Sequence, residues 1–272
     1  MIQQENERRE DIKNVNKHDV LQLAVEMGRI LLKNGAEIFR VEETIAHVCN
    51  YYKIECVDCF ILSNGIFVTA EDGGEQIFAR IKHVPLSSPH LGIVTEVNNL
   101  SREISSGRIF LDEAITQLKK IEKMPPKRSY FRILASGLGG ASFCYLLGGN
   151  LWDSMVTFLI AMFVYVIVLF AEKHKLPRMM TNISGGLFIT ILALTITSLH
   201  LPFEVSSDNL IIGSIMPLIP GMAFVNAIRD IANSDFLSGT VRIIDSVLVF
   251  VYIAIGVGLG LSIYSQGLGG IL

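Results

Sequence analysis

The chain has 272 residues, half of them hydrophobic, with 23 Lys and Arg against 26 Asp and Glu. Seventeen of the 23 basic and nineteen of the 26 acidic residues precede Ser129, so a charged N-terminal part is joined to a part of membrane character. A net charge of -3 without a basic block argues against a nucleic-acid-binding protein, and the polar first seventeen residues lack the apolar core of a signal peptide.

Residues 1–17 are expected to be a disordered tail and residues 18–126 a small cytosolic α+β domain. From Asp19 onward, Val20, Leu23, Ala24, Met27, Ile30 and Leu31 recur at helical spacing until Asn34-Gly35 ends the run. A second helix is predicted over 36–52, with Ile38, Val41, Ile45 and Val48 facing inward. The pattern then changes to strands over 54–62, 65–71 and 75–84, divided by Ser-Asn-Gly and Asp-Gly-Gly turns, which reads as an antiparallel meander. Two further helices are predicted over 90–106 and 111–123, the second ended by Pro125-Pro126, with Asp112 and Glu113 charging its first turn.

Two constellations in this part invite chemistry. Cys56 and Cys59 form a C-x-x-C, but on a strand that spacing points the side chains to opposite faces, and no second C-x-x-C completes a zinc site. In a cytosolic domain all four cysteines are expected to be reduced, as small buried hydrophobes. His83, Ser87, Ser88 and His90 suggest a hydrolase, yet there is no G-x-S-x-G elbow, and Ser-Ser-Pro before a helix is more simply a turn with Pro89 at the helix start. No Walker motif, metal site or cofactor site is expected.

Residues 127–272 are predicted to form an all-α transmembrane bundle of five spans, at about 130–148, 151–171, 183–199, 210–228 and 243–264. Each is near the ~20 residues that cross ~30 Å of hydrocarbon. Lys127, Arg128 and Arg132 precede the first span, Lys173, Lys175 and Arg178 lie between the second and third, and Arg229 and Arg242 flank the loop between the fourth and fifth. The remaining loops carry no Lys or Arg, so the positive-inside rule places the N-terminus in the cytosol and the C-terminus outside a multi-pass plasma-membrane protein. Small residues at 136, 140, 256 and 260 mark faces where helices can pack closely.

The fourth span is expected to be broken. Pro217 and Pro220 cannot bond the carbonyls of Gly213 and Met216, and free acceptors at membrane depth must face protein or a cavity. Broken helices of this kind expose backbone to substrate in many transporters, although a plain proline kink also fits. The half-helix beginning at Gly221 offers N–H groups and a positive dipole end to a carboxylate, with Asn226 one turn on. Candidate coupling or gating residues are Asp245, three positions after Arg242 and able to share its helix face, Arg229, Asp230, and Asp153 at the start of the second span.

The chain resembles the threonine/serine exporter family, specifically the larger subunit of its split two-component form, from about Leu21 to Tyr264. The stretches that carry the likeness are LLKNGAEIFRVEETI, LLGGNLWDS and PLIPGMAFVNAIRDIANSDFLSGTVR. The resemblance implies a cytosolic α+β domain followed by five spans, a second, shorter membrane subunit in a hetero-oligomer, and efflux of small carboxylate-bearing metabolites, threonine and serine or succinate-type dicarboxylates. Two other classes compete: a membrane-anchored hydrolase-like enzyme, which would concentrate its polar clusters in the soluble domain, and a scaffold subunit that never touches substrate.

Overall fold

Helix α1 (Lys17–Lys33) starts where the Asn16 side chain accepts the His18 N–H at 3.0 Å and ends where Gly35 takes φ +84°, a left-handed turn suited to glycine. The computed structural model to which it belongs describes residues 15–54, 57–72, 75–84, 89–199 and 202–268. The expected tail up to residue 14 lies outside them. The chain divides into two compact units, Met1–Pro126 with Met222–Ile243, and Lys127–Gly221 with Ile244–Leu272.

In the first unit, α2 (Ile38–Tyr51) begins two residues later than its hydrophobic pattern, because Ala36 and Glu37 complete the turn. Strands β1 (Val57–Leu62), β2 (Gly65–Asp72) and β3 (Glu75–His83) pair in the order β1-β2-β3, antiparallel throughout, which is the expected meander. Alternation sorts the faces. Ile61, Ile66, Val68 and Ala70 are buried, whereas the cross-strand row Phe60, Phe67 and Ile81 is exposed. Helices α3 (Leu91–Ser105) and α4 (Leu111–Glu122) close the core, in which Leu21, Met27, Ile38, Ile45, Ile66 and Leu100 are fully buried. Asp112 and Glu113 do stand in the first turn of α4.

The second unit contains α5 (Ser129–Leu146), α6 (Leu151–Lys173), α7 (Arg178–Ser198), α8 (Ser207–Ile215) with a short 3-10 turn at Met216–Leu218, and the later part of α10 (Phe236–Ile263). Between α8 and α10 runs α9 (Gly221–Ala232). Among the described residues, three helices are long and apolar enough to cross a membrane, Leu151–Lys173, Arg178–Ser198 and Phe236–Gln266, or four if the bent pair Ser207–Leu218 and Gly221–Ala232 forms one span. The sequence leads one to expect five. The difference is α5, whose 18 residues carry Arg132 together with three Gly and three Ser. The small residues do make seams: a Cβ on Gly256 would run into the Ile183 carbonyl oxygen, and one on Gly140 would lie 2.9 Å from Ala161 Cβ.

Candidate functional site

The break falls where the prolines put it. Helix α8 gives way to the 3-10 turn at Met216, Pro220 precedes the new helix, and the two helical pieces meet at 64°. The Gly221 N–H turns back to the Ile219 carbonyl at 2.9 Å, and a Cβ on Gly221 would meet nothing within 4 Å. On α8, seven residues before Gly221, the Ser214 hydroxyl is fully buried and has no hydrogen-bond partner among the described residues; the same holds for Thr157 on α6. Buried hydroxyls of that kind call for water or a polar ligand.

Asp153 is 1 % exposed and serves two helix starts at once. Within α6 it completes a capping box with Asn150, accepting the Asn150 N–H at 3.1 Å while Asn150 Oδ1 accepts the Asp153 N–H at 2.7 Å. Its Oδ1 also accepts the Ser206 N–H at 2.8 Å, and its Oδ2 accepts Asn209 Nδ2 at 2.9 Å, at the beginning of α8. Among the described residues the carboxylate is satisfied by dipoles alone, so it does more than charge one helix start.

The polar residues after the break are placed differently from the sequence expectation. Asn226 Nδ2 donates to the Gly35 carbonyl at 2.9 Å, Arg229 pairs with Glu37, and Asp230 Oδ2 lies 2.9 Å from Arg242 Nη1. Asp230 and Arg242 are 1 % and 8 % exposed. All of these residues belong to the first unit. Arg242, which could share a helix face with Asp245, lies against the buried Asp230, and Asp245 meets Arg178 at 3.3 Å, with both side chains of that pair partly exposed. Arg229 pairs with Glu37, from the α1–α2 turn. The signal for this arrangement was in the sequence: Ala223, Asn226, Ala227 and Asp230 share one helix face opposite Met222, Val225 and Ile228, the mark of an amphipathic helix.

Of the chemistry considered for the first unit, Cys56, Ser87 and Ser88 lie outside the described residues. Cys59 is half-buried beside an open cavity of about 630 Å³ that Glu42, Cys49 and Lys53 also line. Burial, with Cys59 nearby, pushes the Cys49 thiol up to about 12, and burial with Glu42 and Asp58 pushes Cys59 up to about 11, so neither is a thiolate at neutral pH. His90 caps α3 by accepting the Ile93 N–H at 3.2 Å, so the helix starts on His90 and not on Pro89. No group of three or more metal-ligating side chains is found among the described residues.

Residues 22–264 match the family model for the threonine/serine exporter, ThrE. The chain is 26 % identical over 234 residues to the "Threonine/serine exporter" of Corynebacterium glutamicum, covering 84 % of this chain and 48 % of that protein, so it spans about half of that relative's length. It is also 26 % identical over 232 residues to the "Probable succinate transporter subunit YjjP" of Escherichia coli K12, covering 82 % of this chain and 86 % of that protein. No solved structure matches the chain.

Proposed function

Because this chain belongs to the threonine/serine exporter family, we propose that it is one subunit of a gradient-driven exporter of small carboxylate-bearing metabolites, either threonine and serine or succinate-type dicarboxylates. The observation that carries the reading is the family match over residues 22–264 on a chain whose apolar helices include one bent by 64°. The word "subunit" in the name of a relative matched over 86 % of its length supports a second membrane subunit. In this reading the N-terminal unit is cytosolic, five helices cross the plasma membrane, and the C-terminus is outside.

The substrate carboxylate is assigned to the break, at Pro217, Pro220 and Gly221. A helix start carries N–H groups without intrahelical acceptors and a positive dipole end, and both act strongly where little water competes. Asn226 is left out of this site because its amide is engaged at Gly35. Asp245 is assigned to coupling: its contact with Arg178 is single and exposed, a pairing that protonation or a moving helix can release at small cost.

The test is efflux of labelled threonine and of labelled succinate from preloaded liposomes containing this chain and its partner. Gly221→Val adds side chain where a Cβ meets nothing within 4 Å, so the folded amount should hold while export falls at least ~10-fold. Asp245→Asn should leave binding but remove the dependence on the gradient. Parental export by both variants would move the site away from the break and favour a scaffold role.

A further inference from the structure

Two of the stretches that carry the family likeness, 31–45 and 217–242, meet on one surface of the first unit. Four successive residues of the α1–α2 turn are each held by a different residue of the α9–α10 hairpin. The Gly35 carbonyl accepts Asn226 Nδ2 at 2.9 Å, the Ala36 carbonyl accepts Arg242 Nη2 at 3.2 Å, the Glu37 carboxylate pairs with Arg229, and the Ile38 N–H donates to Asp230 Oδ1 at 3.4 Å. Asp230 thereby supplies the cap that α2 lacks, since the side chain of Glu37, its own N-cap residue, accepts no capping bond.

Both sides of this contact are stiff. The turn is fixed by the Asn34 side chain, which donates to Ile30 O at 2.7 Å, and by Pro89, which lies 3.0 Å from where a Gly35 Cβ would be. The hairpin closes on itself at Gly239, whose Cβ would lie 2.5 Å from Ile231 Cγ1 and 2.9 Å from Ala227 O. Its inward ion pair, Asp230–Arg242, is almost wholly buried, and separating such a pair leaves an uncompensated charge on each side. The Arg178–Asp245 contact has none of these supports.

We propose that Asn226, Asp230 and Arg242 are positioning residues that make the hairpin 222–243 a permanent part of the N-terminal unit, so that the helix start at Gly221 is carried by that unit through transport. Conformational change is then taken up on the flanks of the hairpin, at Pro217–Gly221 and beyond Ile243, where the chain leaves the unit. The role in transport rests on the exporter reading above; the permanence of the clamp does not.

The experiment places cysteines at Glu37→Cys and Arg229→Cys in the full chain, with Cys49, Cys56, Cys59 and Cys144 replaced, and bridges them with a short, reducible bis-methanethiosulfonate. Bridging should be rapid, and the bridged protein with its partner subunit should export within about twofold of the reduced protein, as expected of a contact that never opens. Loss of export on bridging, restored by reductant, would overturn the proposal by showing a latch that must open. Asp230→Asn should slow bridging at least ~10-fold and lower export, and the swap Asp230→Arg with Arg242→Asp should recover part of both. Parental bridging in Asp230→Asn would also overturn it. Should the parental chain export neither threonine nor succinate, the exporter reading fails while the bridging rates still decide the clamp.

Discussion

Asp153 and Asp230 are equally buried, and the two units surround them by opposite means. Around Asp153 the second unit offers two backbone N–H groups and an amide from the starts of α6 and α8, with no cation in contact among the described residues. Around Asp230 the first unit sets the guanidinium of Arg242, 2.9 Å from an Oδ2 that accepts no hydrogen bond among the described residues, while Oδ1 accepts one backbone N–H. The difference shows what each carboxylate is for. Dipoles from two neighbouring helix starts fasten those starts to one another locally, whereas an ion pair within the hairpin, gripping the α1–α2 turn 192 residues away, fixes a long-range contact that few other arrangements of the chain could satisfy.

The largest effect should come from breaking the pair on one side only. Asp230→Ala removes the carboxylate that faces the buried Arg242 guanidinium and should cost about 3–5 kcal/mol, while Asp230→Leu with Arg242→Met should recover most of that loss. Thermal unfolding of the purified chain in detergent checks this. Equal destabilisation by the single and double variants would mean that Asp230 acts through Ile38 and not through Arg242.

Asp153 should be more forgiving. Asp153→Asn keeps an oxygen that can accept from Ser206 or Asn150 but sets an amide N–H against the remaining donors, a loss of about 1–3 kcal/mol. The same unfolding measurement should rank Asp153→Asn clearly below Asp230→Ala. If the ranking reverses, a cation in contact is not what distinguishes the two sites.

Local physics made much of this legible in the sequence. Periodicity and turn residues gave the helical hairpin, the three-stranded meander and the two closing helices to within a few residues, because each rests on contacts near in sequence. The break was legible for the same reason, since Pro217 and Pro220 act on carbonyls one turn away. What could not be read was partnership at a distance. Arg242 and Asp245 stand three apart and can share a helix face, but the buried Asp230 lies against Arg242, and Arg178 from another helix reaches Asp245. Treating 210–228 as one apolar span also hid the polar face of α9, and with it the fact that Asn226, Arg229 and Asp230 belong to the clamp.

The smallest predicted effect concerns a third way of holding a carboxylate, in the partly exposed cluster on α1. Glu26 meets Arg29 at 2.5 Å and Lys82 at 2.6 Å, and Arg29 also reaches Glu122 at 2.6 Å. Burial pushes the Glu26 carboxyl up, but the hydrogen bonds from Lys82 and Arg29 outweigh it, and the net displacement is below the ordinary value of 4.5. A carboxyl depressed on folding contributes stability that is complete above its unfolded value and disappears as pH falls through its folded value. The parental protein should therefore lose stability as pH drops from about 5 toward 3, and Glu26→Gln should be less stable at neutral pH by about 1 kcal/mol or less, with the gap closing in acid. Unfolding midpoints of both proteins across that range provide the check. A gap that stays constant with pH would mean that Glu26 contributes by packing and that its charge is fully screened.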